Sequence, residues 1–300
     1  MLLKNGTFMM LASALLFSTG GTFVKLMPDL PALAINGARC TIAGLMVLAY
    51  LKATGGKLKI TKGTLLGAFC ISATTNLFIF ANKLTTAANT ILIQFAAPIF
   101  IILLTMLLFR ERPRRLDIIT CFAVFAGIAL FFLDSLGTGR MLGNILALIS
   151  AVTYAGVFLM NRIPGGDSFS SAILGHLTSG LIGIPVLLGH GAVEPQNITL
   201  LVAMGVFQMG LGYVCFCIGI KKTAPVSASL ISGVEPIANP LLVALVVDEI
   251  ISPASAVGGV IVVGSITIYN VILARAQPAP HEIVGVGEDG AVPLMERRDE

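Results

Sequence analysis

Apolar residues along this chain gather in runs of about twenty, and the polar residues are confined to the short gaps between them. A helix needs about 20 mostly apolar residues to cross the hydrocarbon core of a bilayer. Ten runs meet that length: Thr7–Lys25, Pro31–Leu51, Thr64–Ala81, Ala87–Phe109, Leu116–Leu133, Leu142–Met160, Phe169–Leu188, Ile198–Ile220, Val226–Val247 and Ala254–Ala274. Pro and Gly punctuate the run ends at Pro31, Pro113, Gly165, Gly166, Pro225 and Pro253, where they cost a helix least. The pattern therefore predicts an all-α polytopic membrane protein.

The polar landmarks inside and between the runs repeat. A shift of 138 lays Gln94-Phe-Ala-Ala-Pro98 on Ser232-Gly-Val-Glu-Pro236, Arg110-Glu111 on Asp248-Glu249, and Lys83 on Lys221. A shift of 137 lays Ser13 on Ser150, Phe17 on Tyr154, Lys25 on Arg162 and Arg39 on His176. Apolar-on-apolar matches would carry little weight, but unrelated helices do not align polar positions at both ends. The chain is read as one five-helix repeat over 4–134, a second over 140–275, and a disordered cytoplasmic tail over 276–300. A repeat with an odd number of spans must insert its second copy upside down. Two inverted five-helix repeats are the expected fold, an arrangement that in transporters places a site between the halves.

Composition agrees with lipid as the solvent: 56% of the 300 residues are hydrophobic and only 11% charged, against about 25% charged in soluble domains. The basic residues fix the orientation, because Lys and Arg concentrate on the cytoplasmic side. Fifteen fall on one side, including the clusters 52–62 and 110–115, and three on the other, namely Lys25, Lys83 and Arg140. Both termini are expected in the cytoplasm, with the bundle in a bacterial inner membrane. The net charge of +4 is small and scattered, so no nucleic-acid partner is implied. The N-terminal stretch imitates a signal peptide, but the repeat needs its first helix, which is expected to stay attached.

Little points to a cofactor or a metal. The five cysteines lie inside apolar runs without accompanying histidines, as packing residues do. Gly285-Val-Gly287-Glu-Asp-Gly290 is formally GxGxxG, but neither a strand nor a helix frames it, so a dinucleotide site is rejected. No HExxH, GxSG or paired intramembrane aspartate is present, and the chain is read as a non-enzyme.

Two five-helix repeats, each with a proline in its fourth helix and a glutamate just past that helix, resemble the EamA-type members of the drug/metabolite transporter superfamily. The stretches that carry the resemblance are Thr85–Ile128 and Thr223–Ile266, with Phe109-Arg-Glu111, Val247-Asp-Glu249 and the pair Glu235-Pro236. The resemblance covers about residues 4–275 and implies transport of a small molecule; relatives export amino acids, other metabolites or drugs.

Ionisable side chains at membrane depth are costly and mark functional positions by default. Arg39, His176 and Glu235 are the three that lie within runs. Glu235 sits near the middle of the ninth run, with Ser232 on the same face; Thr90 and Gln94 occupy the related face of the fourth. Asn76, Tyr154, Gln208 and Tyr213 are further candidates for substrate contact, or else hydrogen bonds between helices. Pro98 and Pro236 either free carbonyls toward a cavity or only bend their helices. Arg39 and His176 are assigned structural or gating roles, Arg39 as an interhelix strut. A central cavity is expected between the first, third, fourth, sixth, eighth and ninth helices. The function expected is export of a small metabolite such as an amino acid by alternating access, with proton coupling through Glu235 as an option. A cation or multidrug exporter is the alternative, and an integral-membrane enzyme a remoter one.

Overall fold

The computed structural model describes residues 6–110, 114–134, 139–223, 231–248 and 251–276, and these residues are helices joined by short turns. The first half runs α1 (Gly6–Phe17), α2 (Gly20–Lys25), α3 (Ala32–Ala53), α4 (Lys62–Leu84), α5 (Ala87–Gln94), α6 (Ala97–Phe109) and α7 (Arg115–Asp134). The second half runs α8 (Met141–Leu159), α9 (Ser168–Gly189), α10 (Pro195–Ala203), a π-helical stretch Met204–Leu211, α11 (Gly212–Ile220), α12 (Glu235–Val247) and α13 (Pro253–Ala276). Among the described residues eight helical stretches are long and apolar enough to cross a membrane, two of them, Gly6–Lys25 and Ala87–Leu108, with a break inside, and the apolar helices α12 and α13 follow them. The start of the ninth expected span, Glu111, Glu249 and the tail beyond 276 lie outside the described residues.

Local chemistry sets the helix starts. Thr61 and Thr64 form a reciprocal capping box ahead of α4, and the Thr86 hydroxyl accepts from the Asn89 N–H at 3.0 Å to open α5. Asp167 opens α9, its carboxylate accepting from the Ser170 N–H at 2.9 Å. Each satisfies a backbone donor that the first helical turn leaves without a partner.

The halves pack as inverted equivalents. Helix α3 packs on its counterpart α9, and α7 on α13. The contact of α4 with α8 is mirrored by that of α1 with α11, and the contact of α4 with α9 by that of α3 with the π-helical stretch. Along α3, Gly37 faces Gly183, Thr41 faces Gly180 and Gly44 faces Leu177. Numbers rise on one helix as they fall on the other, so these counterparts are antiparallel. The missing Cβ atoms at Gly37 and Gly183 let two backbones touch at this crossing.

Two apolar clusters fill the bundle. One, with Met27, Leu30, Ile79, Ile93 and Phe131, belongs to the end that carries the α2–α3 turn. The other, with Leu51, Val157, Met160 and Phe169, belongs to the opposite end. Outside them large apolar side chains remain bare, Leu181 80% and Leu245 81% exposed. Such a surface is unstable in water and suited to lipid.

Candidate central site

Helix breaks gather in the middle of the bundle. The fourth span breaks at Phe95 and Ala96 between α5 and α6, and the ninth at Gly233 and Val234 ahead of α12. The local hydrogen bonds match: Ala96 N–H to Ile93 O and Ile99 N–H to Ala96 O in one, Val234 N–H to Ile231 O and Ile237 N–H to Val234 O in the other. Pro98 and Pro236 therefore stand in the first turn of a new helical segment, where a missing N–H costs least. Gln94 closes the segment before one break, and Glu235 opens the segment after the other. The first span also breaks, at Ser18 and Thr19, whose hydroxyls turn back to Ala14 O and Leu16 O at 2.7 Å each.

These breaks border a cavity of about 50 Å³ at the junction of the two apolar clusters. That is room for a few water molecules. The first half contributes Phe17, Arg39, Thr74, Thr75, Phe78 and Gln94; the second contributes Tyr154, Gln208, Met209, Tyr213 and Glu235. Two pairs related by the repeat, Phe17 with Tyr154 and Thr75 with Tyr213, face the same space.

Of the residues expected at the site, Gln94, Tyr154, Gln208, Tyr213 and Glu235 line this cavity, whereas Thr90, Ser232 and Asn76 do not. Thr90 is buried with its hydroxyl on Thr86 O at 2.9 Å. Asn76 lies in a polar layer between α4 and α9, its amide donating to Ser72 O at 2.8 Å and to the Ser179 hydroxyl at 3.3 Å. Ser232 is buried one turn before Glu235. His176, fully buried, stands behind the cavity wall with its ring edge-on to Tyr213 at 4.2 Å.

Arg39 is the residue whose placement differs most from the expectation. Its helix was not counted among the cavity helices, yet Arg39 reaches the cavity. It is also a strut: Nε donates to Asn36 Oδ1 at 2.9 Å, Nη2 to Thr75 O at 3.2 Å, and Nη1 to Gln208 Oε1 at 3.3 Å, tying α3 to α4 and to the π-helical stretch. The two roles coexist because a guanidinium spans several partners in one plane. The π-helical turn that presents Gln208 is of a kind enriched at functional sites. No periodicity of apolar residues announces it. Thr74 and Thr75 were also missed, although two adjacent polar residues inside an apolar run were a readable signal.

A second, larger cavity of about 450 Å³ opens at the end that carries the α2–α3 turn. Lys25, Lys83 and Arg140 line it with a single acid, Asp248.

Antiparallel repeats of apolar helices around a polar central cavity define a membrane transporter built by internal duplication. The chain belongs to the EamA-like transporter family, which matches it twice, over residues 4–133 and 141–271. It is 25% identical over 234 residues to an uncharacterized transporter of Clostridium kluyveri, covering 73% of this chain and 75% of that one. It is 24% identical over 249 residues to solute carrier family 35 member G1 of Homo sapiens, covering 74% and 67% respectively. One crystal structure superposes on 91% of this chain and 99% of its own, with a TM-score of 0.67 at 21% identity, a likeness of fold.

Proposed function

We propose that the protein is a secondary transporter of a bacterial inner membrane, with both termini cytoplasmic, that exports a small metabolite such as an amino acid. The observation that carries this reading is the central cavity, whose wall is shared by both repeats and holds Arg39 and Glu235 among aromatic side chains. A solute bound between two inverted halves meets each side of the membrane in turn as the halves rock, and only a solute that favours one opening shifts the equilibrium. Glu235, at a helix break on the cavity wall, is the group proposed to exchange a proton during the cycle.

The test is a thermal-shift screen of purified protein against amino acids and organic cations, followed by flux in liposomes. Uptake of at least one amino acid above protein-free vesicles is the expected result. Flux of no solute overturns the proposal. Flux of organic cations alone selects the second reading, a cation or multidrug exporter, which the Glu235 carboxyl in the cavity favours.

A further inference from the structure

We infer that Arg39 is the anchor for a carboxylate on the transported solute, and that the solute class is therefore small carboxylates, amino acids included. This rests on the transport reading above and names what that site selects.

Arg39 is 1% exposed, so bulk water does not solvate its charge. Its described partners are the side-chain oxygens of Asn36 and Gln208 and the carbonyl of Thr75, all neutral. Among the described residues no carboxylate bonds to it. A buried cation without an anion is expensive and is retained where something compensates it. The three bonds use one N–H on each nitrogen, and a guanidinium has five. One N–H on each terminal nitrogen is left over, on the side chain that lines the cavity. A free N–H on each of the two terminal nitrogens gives the pair of donors that a carboxylate, with its two oxygens, can engage.

The surroundings fix the other half of the solute. Phe17, Phe78 and Tyr154 give the cavity an aromatic wall suited to an apolar body, and Glu235 is the carboxyl on the same wall. The end of the bundle proposed to face outward favours the same sign of ligand. Three cations against one acid at the larger cavity, Lys25, Lys83 and Arg140 with Asp248, concentrate anions at that end of the bundle.

The test uses the full-length protein in detergent and a matched trio: alanine, propionate, which lacks the amine, and ethylamine, which lacks the carboxylate. Alanine and propionate are expected to raise the melting temperature, and ethylamine is not. Arg39→Lys should raise the half-saturating concentration of propionate by about tenfold or more, as loss of a bidentate charged pair does. Arg39→Met removes the strut as well as the charge and can fail to fold, so Gln208→Glu is the second variant. It sets a carboxylate where Gln208 Oε1 now accepts from Arg39, keeps the tie between helices and occupies the charge from within. Gln208→Glu should abolish the propionate response while leaving the ligand-free melting temperature at or above wild type. Stabilisation by ethylamine alone, or an undiminished propionate response in both variants, overturns the assignment. If organic cations are carried and carboxylates are not, the protein remains a transporter and only the anchor fails. Flux of no solute removes both.

Discussion

Arg110 and Asp248, 138 residues apart, have the same left-handed backbone conformation, with φ of 56° and 54°. They end α6 and α12, the equivalent helices of the two halves, and they share no side-chain chemistry. Among the described residues they are the two non-glycine residues with positive φ. What has been kept between the repeats at this point is the turn, not the residue.

A left-handed residue past a helix end is usually glycine, which has no Cβ to clash with the following carbonyl. Arg110→Gly and Asp248→Gly should each therefore raise stability, by up to about 1 kcal/mol. A melting temperature that falls in both variants would show that the side chains contribute more than the turn costs.

The crossing of α3 and α9 should tolerate no added methyl group. A Cβ on Gly183 would stand 2.5 Å from the Gly37 Cα. Backbone on both sides leaves no rotamer to relieve the clash, so Gly37→Ala and Gly183→Ala should each lose about 1–3 kcal/mol. Thermal unfolding in detergent checks this; unchanged melting of both would mean that the two helices do not approach so closely.

Asp167 pairs with Lys221 at 2.8 Å while it caps α9. Burial alone would raise the Asp167 carboxyl, but bonds from Lys221 and Ser170 outweigh it and hold the group below the ordinary aspartate range. A depressed folded value means stabilisation that is present above the unfolded value, about pH 4, and lost as pH falls through the folded one. Asp167→Asn keeps a capping side chain and removes the charge. It should lower stability modestly at pH 7, by about 0.2–1 kcal/mol for a pair whose lysine is exposed, read as a small drop in melting temperature. The gap should close on acidification below pH 4 or so. A gap that is constant with pH would assign the loss to capping alone.

Glu235→Gln should abolish the pH dependence of flux and leave the melting temperature within a degree or two of wild type, since the amide preserves shape at the helix break. Flux across a pH series and the melting curve of the same variant decide it. Loss of stability with pH dependence intact would make Glu235 a structural residue.

The orientation can be read with single cysteines at exposed positions near the helix ends. Lys57→Cys should react with an impermeant thiol reagent from the cytoplasmic face, and Asp29→Cys and Gln196→Cys from the opposite one. Labelling of Lys57→Cys from outside would reverse the orientation proposed from the basic residues.

The sequence alone determined the solvent, the helices and the symmetry of this protein. Runs of about twenty apolar residues have no stable place but a bilayer, and the match of Gln94–Pro98 with Ser232–Pro236 is a matter of spacing, visible without coordinates. It also marked Arg39, His176 and Glu235, because a charge at membrane depth is conspicuous by its cost. Only the tertiary structure decided which of these share a space. Helical periodicity tells which face a residue occupies, but the face that meets a cavity is set by how the helices of one half cross those of the other. Ser232 and Glu235 lie a turn apart, yet one lines the cavity and the other does not. The breaks at 95–96 and 233–234 and the π-helical turn before Gly212 rotate the following residues relative to a uniform helix. Arg39 lines the cavity two residues beyond Gly37, where α3 and α9 touch. That approach depends on a partner 146 residues away in the chain, and no local pattern records it.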